Sequence, residues 1–477
     1  MRLVCCALVV GAFAAAPAQA ETVLTLGTDG EVRETDQDLG RKADLPAPPR
    51  ASVATIAKRK RRSVSRALAD LVEGAQISEE ERSARLAALQ LAKDATADLE
   101  GTRRTELKAV VKAIKGVAAR RELTRSRLAP LWLILERNRE WWTSGAAIPA
   151  PGGRVGFEGS EIVWQYYPGQ GLQLQVLATF GKLNALWADG RRSRMGALLD
   201  EMLPLAAERA GGLAWEYYFA FGGGRAPWAS GMAQATGLQA LARAANRLNR
   251  EAEVFPVLAR AVAPFERDAP TGLRDPGADH YLLYSFKPDL RVLNGFLQTL
   301  IGLHDYARIT GDATAQALYE AGERQAEREV PRHDTGAWSL YSDGGAESTL
   351  SYHQLVTDFL DGMCRRTGAE VYCATRDRFT AYLTQPPVLE LVTEELRRGR
   401  RGKLKFELSK VSAVTVTISR EGETVLERDL GIAGHGTRRV RWRVPRERGA
   451  YDVEMAARDL AGNAATLVGR IEVVKAS

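Results

Sequence analysis

Apolar residues recur every three or four positions along most of the middle of the chain, and at every second position near its end. The helical spacing runs through 169–187, 195–209, 229–247, 254–264, 292–310, 314–329 and 352–366, which predicts helices in series. Glycine-rich loops join them, and such paired helices predict an incomplete (α/α) toroid over residues 146–386. Upstream, Ser78-Glu79-Glu80-Glu81 reads as a capping box, the serine accepting from first-turn amides and Glu81 reaching back. Leu86, Leu89 and Leu91, then Leu107, Val110, Val111 and Ile114, continue the spacing, so residues 51–145 read as a basic helical region. Alternation takes over at 403–408, 411–419, 440–444, 453–457 and 467–474, with turns at 420–422 and 461–463, and predicts a β-sandwich over 387–477. The expected fold class is mainly α: an incomplete (α/α) toroid preceded by a helical bundle or hairpin and followed by a β-sandwich.

The first fifty residues bear on location. Arg2, an apolar run and Ala18-Gln19-Ala20 read as a signal peptide over residues 1–20, and no leucine-to-cysteine lipoprotein pattern stands at the cleavage point. The expectation is a secreted or periplasmic protein, with residues 21–50 a disordered linker that is rich in proline and charge at 43–50. At 477 residues and 45% hydrophobic content the chain can bury a large core. Its net charge of +7 is an N-terminal property: from Arg50 to Glu140 there are 21 Lys and Arg against 12 Asp and Glu. That region, notably KRKRR at 58–62, is either a solvated helix face or a contact for an anionic cell-surface or cell-wall polymer. Export argues against nucleic acid. The mature chain keeps Cys364 and Cys373, which in an oxidising compartment are expected to pair in a disulfide.

Aromatics cluster beside loop glycines at Tyr166, Tyr167, Trp215, Tyr217, Tyr218, Trp228 and Trp338. Flat rings of this kind pack against the C–H faces of sugars, which predicts a concave glycan-binding face. Two polar clusters carry Tyr284, ahead of VLNGF, and Tyr341 and Tyr352, within HDTGAWSLYSDGGAESTLSYHQ. A phenol ionises near pH 10, so a tyrosine moves protons only where its surroundings stabilise the phenolate.

The segments WQYYPGQGLQLQVLATFGKLNALW, GGRAPWASGMAQATGLQAL and LYSFKPDLRVLNGFLQTLIGLHDYARITGD, with the tyrosine clusters, resemble the C-terminal region of the D-glucuronyl C5-epimerases over residues 160–385. Those enzymes invert glucuronate to iduronate within heparan-type polysaccharides. The resemblance implies an isomerase acting on an acidic polysaccharide, with Tyr284, Tyr341 and Tyr352 in its active site. It departs at Leu283, where animal members carry an acid, and after Tyr341, where Ser342 to Gly345 stand in place of an arginine. Separately, Asp459 to Ala465 resembles the final hairpin of bacterial Ig-like modules.

Inverting C5 requires a base and an acid on opposite faces of the ring, and a cation or strong hydrogen bonds for the charge that builds on the carboxylate. Tyr352, beside His353, is the first choice for one role, and Tyr284 or Tyr341 for the other. Arg225, Lys287 and Arg291 are candidate carboxylate partners. Trp228, Gln234, Asn294, Asp334, His353, Tyr166 and Tyr167 complete the expected substrate-binding set. A β-elimination lyase starts from the same proton abstraction, and a non-catalytic glycan-binding protein would carry the same aromatics, so both remain open. Gly222-Gly223-Gly224-Arg225 lacks the strand context of a phosphate loop, and neither a nucleophile elbow nor HExxH occurs. No cofactor and no metal are expected.

Overall fold

A computed structural model describes residues 20–38 and 62–475; the expected signal segment through residue 19, the 43–50 stretch and residues 58–61 of the basic run lie outside the described residues. About 46% of the described residues are helix and 25% are strand, which corrects the mainly-α expectation to a mixed α and β protein. The helices divide between two compact units. One holds the described residues up to 276 with Tyr284–Pro288 and Gly302–Leu318; the other holds Gly277–Leu283, Asp289–Ile301 and Tyr319–Ser477.

The first unit contains a five-stranded sheet that periodicity does not reveal. Strands β1 (Ala20–Leu26) and β2 (Val32–Asp38) form an antiparallel pair inside the expected linker. The sheet order is β2-β1-β3-β4-β5, with β3 at Arg154–Phe157, β4 at Trp164–Tyr167 and β5 at Gly171–Leu174. Strands β3 and β5 are buried throughout, so neither shows a polar alternation to read.

Four helices follow, α1 (Val64–Glu73), α2 (Glu79–Asp98), α3 (Gly101–Ala119) and α4 (Arg125–Thr143), of which α3 and α4 pack on β5. Ser78 caps α2 by accepting from Glu81 N at 3.0 Å, while the Glu81 carboxylate turns to Arg85 at 3.3 Å and so completes only half of the expected box. On α3, Leu107, Val110, Val111, Ile114 and Val117 face inward. Each such side chain contributes about 1.5–3 kcal/mol by leaving water.

Two buried polar groups fix helix to sheet. Glu106 accepts from Gly169 N at 2.8 Å, Gly171 N at 2.8 Å and Tyr166 Oη at 2.9 Å. Asn138 on α4 donates to Leu172 O at 2.7 Å and accepts from Leu172 N at 2.8 Å and Trp142 Nε1 at 2.9 Å. Burial without these bonds would cost several kcal/mol, so they select one docking geometry. Further helices follow at Val176–Ala188, Arg192–Met202, Gly231–Leu248 and Glu251–Val262. Gly237 lets the Phe180 ring approach, since an added Cβ would lie 2.6 Å from it.

In the second unit, helix Leu350–Thr367 ends at Gly368, in the left-handed conformation at φ +66°, and helix Glu370–Tyr382 follows. Cys364 and Cys373 are joined in a disulfide with Cα atoms 4.9 Å apart. The remaining strands form a three-stranded sheet and a five-stranded sheet around one core of Leu404, Phe406, Val416, Ile418, Trp442, Val453 and Met455, among others. Lys410 and Asp459, each with a side chain 1% exposed, pair at 2.5 Å beneath these strands, and Lys410 also donates to Tyr382 O at 2.9 Å.

Candidate active site

Bridges Leu340↔Glu347 and Val292↔Ser342 fold residues 340–347 back on themselves and lay them beside the start of helix Leu293–Thr310. The Ser342-Asp343-Gly344-Gly345 turn is tight: Gly345 N donates to Ser342 O at 2.9 Å, and Gly344 sits at φ +65°, a region glycine enters without strain. Tyr341 N donates to Ala346 O at 2.9 Å and Asp343 N to Arg291 O at 3.0 Å. Past the turn, Thr349 caps helix Leu350–Thr367 by accepting from Tyr352 N at 3.4 Å, which places Tyr352 in the first turn. The unpaired amides there favour negative charge.

These segments bring Tyr341, Tyr352 and Asn294 together. The two tyrosine rings meet edge to face with centroids 5.3 Å apart. With Leu293, Leu340, Ser348 and Val356 they and Asn294 line a crevice too tight to admit a water molecule. That is narrower than the sugar-sized hollow the sequence suggests, because the rings touch. Two polar atoms in it are buried without a hydrogen-bond partner, the Tyr341 hydroxyl and Asn294 Oδ1. Burial, and then the neighbouring Tyr352, push the Tyr341 hydroxyl well above its ordinary value, so it is a neutral phenol.

Beside these segments lies a carboxylate that sequence reading missed. Glu329 accepts at 2.7 Å from His280 Nδ1, with Arg291 at 3.5 Å and Arg332 at 3.6 Å. Burial opposes its charge, but the His280 hydrogen bond, Gln325 and Arg291 outweigh it and hold the carboxyl at about 2. Glu347 was missed as well. It anchors the turn to the strands by accepting from Val411 N at 2.8 Å and His435 N at 2.7 Å. Its place in the SDGGAES loop was the available signal.

Other expected site residues are structural. His353 is fully enclosed: its ring stacks on Trp338 at 3.8 Å, and its nitrogens bond Ser339 Oγ at 2.8 Å and Phe379 O at 2.9 Å. Burial lowers its pKa to about 4. Asp334 accepts from Tyr382 Oη at 3.0 Å and pairs with Arg378 at 2.8 Å.

In the first unit, Gln234 donates to Leu213 O and Ala261 O, tying its helix to neighbouring backbone rather than to a sugar. Trp228 stacks on Tyr217 at 4.2 Å and lies across the Tyr284 ring at 5.8 Å. Tyr284, in this unit, is 1% exposed and packs against Phe221, Trp228 and Phe286. Tyr166 bonds Glu106, and Tyr167 packs on Phe219 at 4.4 Å. Trp215, Tyr217 and Tyr218 are likewise core residues, so the expected concave aromatic face is corrected to a stacked interior. Lys287 is half-buried and Arg225 exposed, both in the first unit.

Residues 211–381 match the family model for the D-glucuronyl C5-epimerase C-terminus. This stretch belongs to that family. The epimerase-family segment holds Tyr284, Tyr341, Tyr352 and Asn294, and leaves Tyr166 and Tyr167 outside. A D-glucuronyl C5-epimerase of Caenorhabditis elegans is 32% identical over 177 aligned residues, covering 32% of this chain and 29% of that protein. An uncharacterized protein of Methanocaldococcus jannaschii is 32% identical over 81 residues, 17% of this chain and 26% of that one. The chain thus spans under a third of the length of these curated relatives. A Cellulomonas fimi endo-beta-1,4-mannanase double mutant covers 76% of this chain and 85% of its own at 15% identity, with a TM-score of 0.14 that carries no information on the fold.

Proposed function

We propose that the protein is a secreted, polysaccharide-modifying epimerase that inverts C5 of a uronic acid residue through Tyr341 and Tyr352. The carrying observation is the closed crevice: inside the epimerase-family segment, two touching tyrosine rings and Asn294 meet with the Tyr341 hydroxyl and Asn294 Oδ1 buried and unpartnered. Unpaired buried polar atoms are rare and call for an occupant or a chemical role. A sugar hydroxyl donating to Asn294 Oδ1 supplies an occupant there, and the proton transfer gives the Tyr341 hydroxyl its role.

In this reading Tyr341, a neutral phenol, delivers a proton. Tyr352, in the first turn of its helix, starts as the phenolate, which the helix amides favour; it takes the C5 proton and becomes a phenol, while Tyr341 is left as phenolate and both are reset by proton exchange with water. Arg291, three residues before Asn294 and with a backbone oxygen that accepts from the turn after Tyr341, is the cation assigned to the uronate carboxylate. Opposite-face chemistry requires the ring pair to part around the sugar.

The test is incubation with a glucuronate polymer in heavy water, wild type beside Tyr341→Phe and Tyr352→Phe. Deuterium at C5 without chain cleavage, lost in both variants, is the expected result. An ultraviolet-absorbing unsaturated uronate would instead mean a lyase, and binding without exchange a non-catalytic glycan-binding protein.

A further inference from the structure

The first unit carries a groove of about 1460 Å³ that the tyrosine chemistry does not use. We propose that it is a binding channel for an acidic polysaccharide, with Lys108, Lys112 and Lys115 as its principal contacts. Helix α3 divides into two faces. Leu107, Val110, Val111, Ile114 and Val117 point into the core, while Lys108, Lys112 and Lys115 recur on the opposite side at intervals of four and three residues. They span about 10 Å of helix at 1.5 Å per residue. Ala109, Ala113, Gly116 and Ala119 line the groove between them, so a polymer lying there meets a shallow floor edged by ammonium groups.

The charge balance is one-sided. The described lining holds eight Lys and Arg, and its single carboxylate, Glu122, is taken by Arg120 at 2.6 Å. Arg62 is paired with Asp70. Lys108, Lys112, Lys115, Arg121 and Arg225 make no ion pair among the described residues. Like charges three and four residues apart repel and weaken a helix, so a face kept in this state gains from an anionic partner.

The kind of polyanion follows from what the walls lack. No aromatic ring lines the groove, and stacking platforms are what hold single-stranded nucleic acid. A chain of carboxylated sugars asks only for spaced cations and a shallow floor. The choice of a uronan as occupant rests on the functional reading above.

The experiment measures binding of fluorescently labelled polyglucuronate oligosaccharides to the full chain over a salt series, beside neutral dextran, duplex DNA and phosphatidylglycerol vesicles. The wild type is expected to bind the uronan and not dextran, with affinity falling steeply as salt rises. Lys108→Gln/Lys112→Gln/Lys115→Gln should weaken binding at least tenfold and flatten the salt dependence. Arg225→Gln, across the groove, should weaken it further. All these side chains are exposed or part-exposed, so an unchanged circular dichroism spectrum is expected of each variant. Unchanged uronan affinity in the triple variant overturns the proposal, as does tighter lysine-dependent binding of DNA or vesicles. Lysine-dependent uronan binding without C5 exchange retires the epimerase and leaves the groove, whereas exchange with affinity indifferent to the lysines does the reverse.

Discussion

Tyr341→Phe separates a working hydroxyl from a structural one, because the two make opposite predictions for stability. The substitution keeps the ring and its edge-to-face contact with Tyr352, and removes one oxygen that is buried without a partner. An unsatisfied buried polar group costs about 1–3 kcal/mol, while a hydroxyl that completes a hydrogen bond contributes about 1 kcal/mol. Taking the low end of that range, the variant should be about 1 kcal/mol more stable. Denaturation in urea, followed by far-ultraviolet circular dichroism, reads this as a midpoint a few tenths of a molar higher with an unchanged slope. Proton delivery by a positioned side chain is worth about 10²–10⁴ in rate, so C5 exchange should fall by at least a hundredfold in the same protein. A variant that is less stable than wild type, or that keeps its exchange rate, would refute the reasoning.

Three further outcomes are expected. His353 is held neutral by burial, with a folded pKa of about 4 against an ordinary 6.5, so its contribution is complete above pH 6.5 and is lost as pH falls towards 4; His353→Phe should flatten the stability–pH curve in that window. Cys364→Ser/Cys373→Ser removes the closure of a short loop and should lower stability by about 2–3 kcal/mol, making unfolding insensitive to dithiothreitol. Lys410→Met strands Asp459 without its buried partner and should cost about 3–5 kcal/mol, seen as a lower thermal midpoint of the second unit by calorimetry.

Helix content was legible where one face is buried and the other wet. The apolar spacing of 292–310, 314–329 and 352–366 falls on Leu293–Thr310, Ala313–Glu329 and Leu350–Thr367 within two residues. Helix Glu370–Tyr382 escaped because Tyr372, Thr375, Phe379 and Tyr382, which it buries, mix polar and apolar types. The same limit hid β3 and β5, whose two faces are both covered.

The site residues sort by a different property. Family resemblance singled out Tyr284, Tyr341 and Tyr352 alike, yet pattern alone does not tell an aromatic that packs from one that leaves a polar atom unpaired. Trp228, Gln234 and His353 all have their polar atoms satisfied by backbone or by a neighbouring hydroxyl, a fact fixed by distant residues such as Phe219, Leu213 and Phe379. Tyr341 and Asn294 do not. Chemistry concentrates where folding leaves a donor or acceptor unspent. The crevice of Tyr341, Tyr352 and Asn294 holds two such atoms, and Glu347 fixes the turn between the two tyrosines by accepting from Val411 N and His435 N.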